Sequence, residues 1–134
     1  MNKARILLVD DDTAFRNGIE RFLRAQGCEI RVAATGEAAL EMVRQEVPNL
    51  VLLDLYLPFM NGLKALREIH KIDERIPVLM LTCEDDEEYR RLAAKFGALE
   101  YLTKPITLIN LMAYLETRLK SPNRTPPTSL PPTP

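Results

Sequence analysis

Four places in this 134-residue chain set a reactive side chain at the end of an apolar run. Ile6-Leu7-Leu8-Val9 leads into Asp10-Asp11-Asp12, and Leu50-Val51-Leu52-Leu53 leads into Asp54. Val78-Leu79-Met80-Leu81 ends in Thr82, and Leu99 to Leu102 leads into Thr103-Lys104-Pro105. Each has an ordinary reading alone. Asp54 could start a turn or cap a helix, Asp10 to Asp12 could be a capping run, Thr82 a strand-end hydroxyl and Lys104 a surface lysine. Together they describe a chemistry. Carboxylates gathered in one crevice repel, and an unpaired one tends to keep its proton. A hard divalent cation relieves this, and few protein oxygens plus water and a phosphate oxygen suit Mg2+ better than calcium. Such an ion can bridge a carboxylate and a transferring phosphoryl group. Lys104 would pair with a phosphate oxygen as a point charge, the Thr82 hydroxyl would donate to another, and Asp54 would be the nucleophile of an acyl phosphate.

The elements that must position these groups alternate along the chain. The apolar runs read as strands buried on both faces. Between the first two strands, Phe15, Ile19, Phe22 and Leu23 fall on one helical face, with Asp12 or Thr13 as cap and Gly27 as stop. Gly18 inside this helix costs about 1 kcal/mol relative to alanine, so close packing on a neighbour is expected there. Glu29 to Ala33 is a weaker strand, followed by a helix over about 36–46 that Pro48 cannot continue. After Asp54, the Leu57-Pro58 step forces a turn, and Asn61-Gly62 opens a helix to about Ile72. The run Glu84 to Glu88 is expected to begin the fourth helix, with Asp86–Arg90 and Glu87–Arg91 as pairs one turn apart. Leu108, Leu111, Met112, Leu115 and Leu119 form the apolar stripe of a fifth helix. Five strands alternating with five helices give a doubly wound parallel sheet, in which ligands bind beyond the carboxyl ends of the strands. The reactive residues lie at those ends.

Composition narrows the classes. Net charge is −1 with no basic run, which argues against nucleic-acid binding by this segment. Cys28 and Cys83 have no metal or redox spacing and read as free thiols. No apolar run approaches the roughly 18 residues of a membrane span, and the start of the chain leaves no room for a signal peptide. A cytoplasmic domain is expected over residues 1–120. Six prolines fall in residues 121–134, which read as a disordered or extended tail or linker.

The chain resembles the receiver domain of bacterial two-component response regulators. The carriers are Asp10-Asp11, Asp54 with Pro58 and Gly62 behind it, Thr82, and Lys104-Pro105, and the likeness covers residues 4 to 120. It implies a flavodoxin-like α/β fold with strand order 2-1-3-4-5. It also implies that Asp54 is the phosphoacceptor, charged in a Mg2+-dependent reaction by a sensor histidine kinase or phosphotransfer protein. Asp11 and Asp54 would bind the metal directly with the backbone carbonyl of Tyr56, and Asp10 through water. Thr82 and Lys104 would hold the phosphoryl oxygens, the Lys104-Pro105 peptide would be cis, and Tyr101 would be a switch aromatic that follows Thr82. The domain would be a phosphoacceptor that assists its own phosphorylation and dephosphorylation rather than an enzyme. The surface of the fourth helix, fifth strand and fifth helix would respond, serving a homodimer, a docking protein or an output domain after residue 120, such as a DNA-binding module.

Three positions beside the site bear on its chemistry, and the first departs from the commonest pattern of that family. Cys83 stands where a smaller residue is frequent, which would tighten access to the phosphate. Tyr56 and Glu84 flank the path of attacking water and should affect the lifetime of the phosphoryl group. His70, the sole histidine, reads as a surface residue of a helix rather than a phosphocarrier. A rival from another class is a haloacid-dehalogenase-like phosphatase, for which Asp10-x-Asp12 superficially serves as the opening motif. Its threonine would be misplaced by one residue, its later acidic pair is absent, and Asp54 would be unexplained. A flavin binder would need Gly- and hydroxyl-rich phosphate loops. A receiver-like fold that is not phosphorylated would be expected to lack a site residue, and none is missing.

Overall fold

The computed structural model describes residues 4–119. Five strands, β1 (Arg5–Val9), β2 (Glu29–Ala33), β3 (Leu50–Leu53), β4 (Val78–Thr82) and β5 (Glu100–Thr103), form one sheet in the order β2-β1-β3-β4-β5. Every adjacent pair is parallel. Helices α1 (Thr13–Ala25), α2 (Gly36–Gln45), α3 (Gly62–Ile72) and α4 (Glu87–Lys95) supply the crossovers, and with α5 (Leu108–Leu119) they cover both faces. Alternation along the strands divides the interior in two. Leu7, Val9, Val51, Leu53 and Met80 face a core closed by α2, α3 and α4. Ile6, Leu8, Leu50, Leu52 and Leu81 face a core with Ile19 and Leu23 of α1 and Leu111 and Leu115 of α5.

The helices start where short polar side chains catch free amides. Asp12 accepts from the Phe15 amide, Thr35 from Ala38, Asn61 from Lys64, and Asp86 from both Glu88 and Tyr89. Gly27 follows α1 at φ +94°, in the left-handed region that ends a helix.

Several expectations need correction. A Cβ on Gly18 would meet nothing within 4 Å, so no close neighbour accounts for that glycine. The Asp86 cap places Glu84 and Asp85 before α4 rather than in it. Arg90 pairs with Asp85 at 2.9 Å because Asp86 is committed to its amides, and Arg91 pairs with Glu88 rather than Glu87. Leu108 is half exposed at the start of α5, outside the buried stripe of Leu111 and Leu115, and the side chain of Leu119 lies outside the described residues. The expected tail at 121–134 also lies outside them. Among the described residues, no helix is long and apolar enough to cross a membrane.

Candidate functional site

Strand register assembles the site. Val9 pairs with Leu53, Leu53 with Met80, and Thr82 with Thr103, so Asp10, Asp54, Thr82 and Lys104 leave the sheet at the same edge. The backbone fixes them there. The Asp54 amide donates to Val9 O at 3.0 Å, and the Lys104 amide donates to Thr82 O at 2.8 Å. Asp10 and Thr82 are fully buried and Asp54 is 7% exposed, whereas Asp11 is exposed. One carboxylate oxygen from each of Asp10, Asp11 and Asp54 lies within 4.8 Å of the others.

Lys104 is the counter-charge. Its Nζ donates to Asp10 Oδ2 at 2.6 Å and stands 3.5 Å from Asp54 Oδ2. The ammonium also sits 4.2 Å from the centroid of the Phe15 ring, a cation–π contact that holds the lysine stem over α1. The Lys104-Pro105 peptide is cis. Burial alone would lower the lysine's pKa, but the hydrogen bond to Asp10 and the charges of Asp54 and Asp10 outweigh it and hold it above the ordinary value. Asp54 is shifted upward by burial, against the opposing charge of Lys104, with the neighbouring Asp10 pushing the same way as burial. Three carboxylates facing one ammonium leave an uncompensated negative charge of about two. That deficit and the oxygen-only donor set suit a divalent hard cation.

The acidic triple divides its labour. Asp10 Oδ1 accepts the Asp12 amide at 2.9 Å, Asp11 faces the crevice, and Asp12 caps α1 through the Phe15 amide at 3.1 Å. Arg16 also donates to Asp10 O at 2.8 Å, a brace from α1 that helical periodicity does not announce.

The mouth of the crevice is bridged. The Tyr56 hydroxyl donates to Glu84 Oε1 at 2.9 Å, and that carboxylate pushes the phenol up to about 12. The Tyr101 hydroxyl donates to Glu84 O at 2.6 Å, and the Glu84 amide donates to Thr82 Oγ1 at 3.3 Å. Tyr101 is therefore buried, with the Arg90 guanidinium 4.7 Å over its ring and its phenol raised to about 12 by burial. Glu84 thus joins Tyr56, Thr82 and Tyr101, a junction that residue types alone did not reveal because its backbone does most of the joining.

Behind Asp54, the loop is packed tightly. A Cβ on Gly62 would fall 2.2 Å from Asp54 O, so only glycine fits at the start of α3. Phe59 in the same loop has φ +68° and is 93% exposed. Nothing in the residue type signals this, since the left-handed region favours glycine and asparagine. His70 lies away from the crevice and is not the simple surface residue expected. It is half-buried, with Nδ1 3.2 Å from Phe96 O and Nε2 2.9 Å from Ile76 O, tying α3 to the end of α4. Cys28 is buried and Cys83 exposed, and neither is in a disulfide.

Residues 6–116 match the family described as the response regulator receiver domain. The transcriptional regulatory protein ZraR of Escherichia coli K12 is 41% identical over 114 residues, which is 85% of this chain and 26% of that protein. The response regulator MprA of Mycobacterium leprae is 37% identical over 116 residues, 87% of this chain and 51% of that protein. The chain thus spans about a quarter to a half of the curated relatives it matches. Among solved structures, a CheY-like receiver domain protein from Methanospirillum hungatei superposes with a TM-score of 0.85 at 32% identity, covering 87% of this chain and 94% of that one.

Proposed function

The chain belongs to the response regulator receiver family, and we propose that it works as a phosphorylation-dependent switch in which Asp54 accepts the phosphoryl group. The observation that carries this assignment is the placement of Lys104 between two carboxylates, 2.6 Å from Asp10 and 3.5 Å from Asp54, in a crevice that also gathers Asp11. An Asp54 carboxylate oxygen attacks phosphorus in a donor phosphohistidine. The P–N bond breaks as the P–O bond forms, and the imidazole leaves with the electron pair and takes up a proton. Asp54 must be ionised to attack. Lys104 then leaves its pairing with Asp10 for a phosphoryl oxygen, and the Thr82 hydroxyl donates to another.

Asp11, Asp54 and the backbone carbonyl of Tyr56 would hold Mg2+, with Asp10 acting through water. When bound, the ion would neutralise charge on the transferred group and hold one of its oxygens. The phosphatase reading loses support because Asp12, its required second acid, caps α1 by accepting from the Phe15 amide.

Thr82 and Tyr101 would carry the signal outward, since Glu84 joins both. The receiving surface would be α4-β5-α5, where Ile109 is 81% exposed and Leu108 and Tyr114 are partly exposed. That surface would serve a homodimer, a docking partner or an output domain after residue 120, and the phosphodonor would be a cytoplasmic sensor histidine kinase or phosphotransfer protein. The domain would also influence its own dephosphorylation, since the Tyr56–Glu84 bridge lies across the mouth through which water must attack. Amide spectra with and without beryllofluoride and Mg2+ test the output assignment. Shifts at 84–90, 100–104 and 107–115 are expected, and shifts confined to the loops of the crevice would refute it.

A further inference from the structure

Among the described residues, exposed cations are mostly held by the chain's own carboxylates: Arg5 by Glu46, Arg24 by Glu20, Arg44 by Glu41, Arg75 by Asp73, Arg90 by Asp85 and Arg91 by Glu88. The seam between α3 and α4 differs. Lys71 holds Glu68 there at 3.1 Å, and Lys64 and Arg67 act on that carboxylate only from a distance, while Lys64, Arg67 and Lys95 form no ion pair among the described residues. Arg67 instead lies with its guanidinium 4.7 Å from the centroid of Phe96, a half-buried ring at the end of α4. Two hollows meet at Arg67, Lys71 and Phe96. One, of about 360 Å³, extends to Asn61, and the other, of about 540 Å³, reaches Pro77 and Leu99. They make one groove with a basic wall, apolar toward Ile76, Pro77 and Leu99 and more polar toward Asn61, in which Glu68 is already paired and Glu74 is the other carboxylate.

We propose that this groove docks an acidic, extended segment of a partner protein, with carboxylates on Lys64, Arg67 and Lys95 and a bulky apolar side chain on Phe96. The layout favours a linear ligand over a single small anion. Lys64, Arg67 and Lys71 mark successive turns of α3, a span of about 10 Å, and Lys95 stands on the opposite helix. No single phosphate reaches them all. The helix ends at the lower hollow, near His70-Lys71 and Phe96, are C-terminal and repel anions, so the attraction rests on side-chain charge with an aromatic anchor. This inference does not depend on phosphorylation at Asp54.

The test is an amide-shift titration of the 134-residue chain with a capped hexapeptide in which acidic residues flank a leucine–phenylalanine pair. Shifts should map to residues 61–77 and 92–99, and affinity should fall at least about fivefold in Arg67→Glu and in Lys95→Gln, and again when salt shortens the screening length. Arg21→Glu on α1 should bind as wild type, and an unchanged thermal midpoint certifies each variant, with Lys64→Gln as the substitute for any that is destabilised. No shifts at about millimolar peptide, shifts centred elsewhere, or groove variants that bind normally would overturn the proposal. So would a short single-stranded oligonucleotide that moves the same amides at lower concentration than the peptide.

Discussion

Asp54 sits where burial and a second carboxylate both oppose its charge, and Lys104 answers only part of that. Its folded-state pKa is raised, so ionising it works against the fold. The penalty is absent below the unfolded pKa and fully present above the raised folded value. In EDTA-containing buffer at neutral pH, Asp54→Asn should therefore be more stable than wild type by on the order of 1 kcal/mol, or about 3–5 °C in thermal midpoint. The advantage should vanish as pH falls through that window, and a variant less stable than wild type at neutral pH would contradict the electrostatic account. At the mouth, Tyr56→Ala removes the bridge to Glu84. As Tyr56 is exposed, stability should stay within about 0.5 kcal/mol, while the acyl phosphate should hydrolyse several-fold faster, read by loss of the phosphorylated mass over time. That Asp10, Asp54, Thr82 and Lys104 gather at one edge of the sheet was legible because each follows an apolar run, and a polar side chain leaving a buried strand stands out. The contacts that finish the site were not. Lys104 on Phe15, Arg16 on Asp10 O and Tyr101 on Glu84 O join distant positions through packing, which no period in the chain records.

At the scale of elements, capping decided what composition left open. The acidic run from Glu84 to Glu88 reads as helix from its first residue, yet Asp86 takes two amides and delays α4 to Glu87. Asp86→Ala should cost about 1 kcal/mol, and the charge-neutral mimic Asp86→Asn should recover most of it, since the cap works by hydrogen bonding. Gly18 gives the opposite case. Because a Cβ at this position would have nothing within 4 Å, Gly18→Ala should stabilise by about 0.5–1 kcal/mol in chemical denaturation, and a loss would mean an unseen constraint on α1. The strands and the other helices were legible with bounds close to those observed, because apolar runs bounded by proline, glycine and capping residues leave few alternatives. The start of α4 was not, since a helix terminus depends on which of several acids turns inward to the amides.

Over the whole molecule, the 2-1-3-4-5 order places β1 and β3 side by side at the reversal of the sheet, which is why two acidic strand ends share a crevice with the ends of β4 and β5. That order came from the family resemblance, because alternation of strands and helices gives a parallel sheet without its sequence of neighbours. β2 lies at the edge and ends in Ala33, with no reactive side chain to contribute. Thr82, Glu84, Tyr101 and Arg90 form a hydrogen-bonded path from the end of β4 at the crevice to β5 and α4. Its starting point is chemical and can be weighed directly. Intact-mass measurement after incubation with acetyl phosphate, with and without Mg2+, should show a Mg2+-dependent gain of a single phosphoryl group in wild type and none in Asp54→Ala. A gain that persists in Asp54→Ala and disappears in Asp10→Ala would contradict the assignment of Asp54 and place the nucleophile at the end of β1.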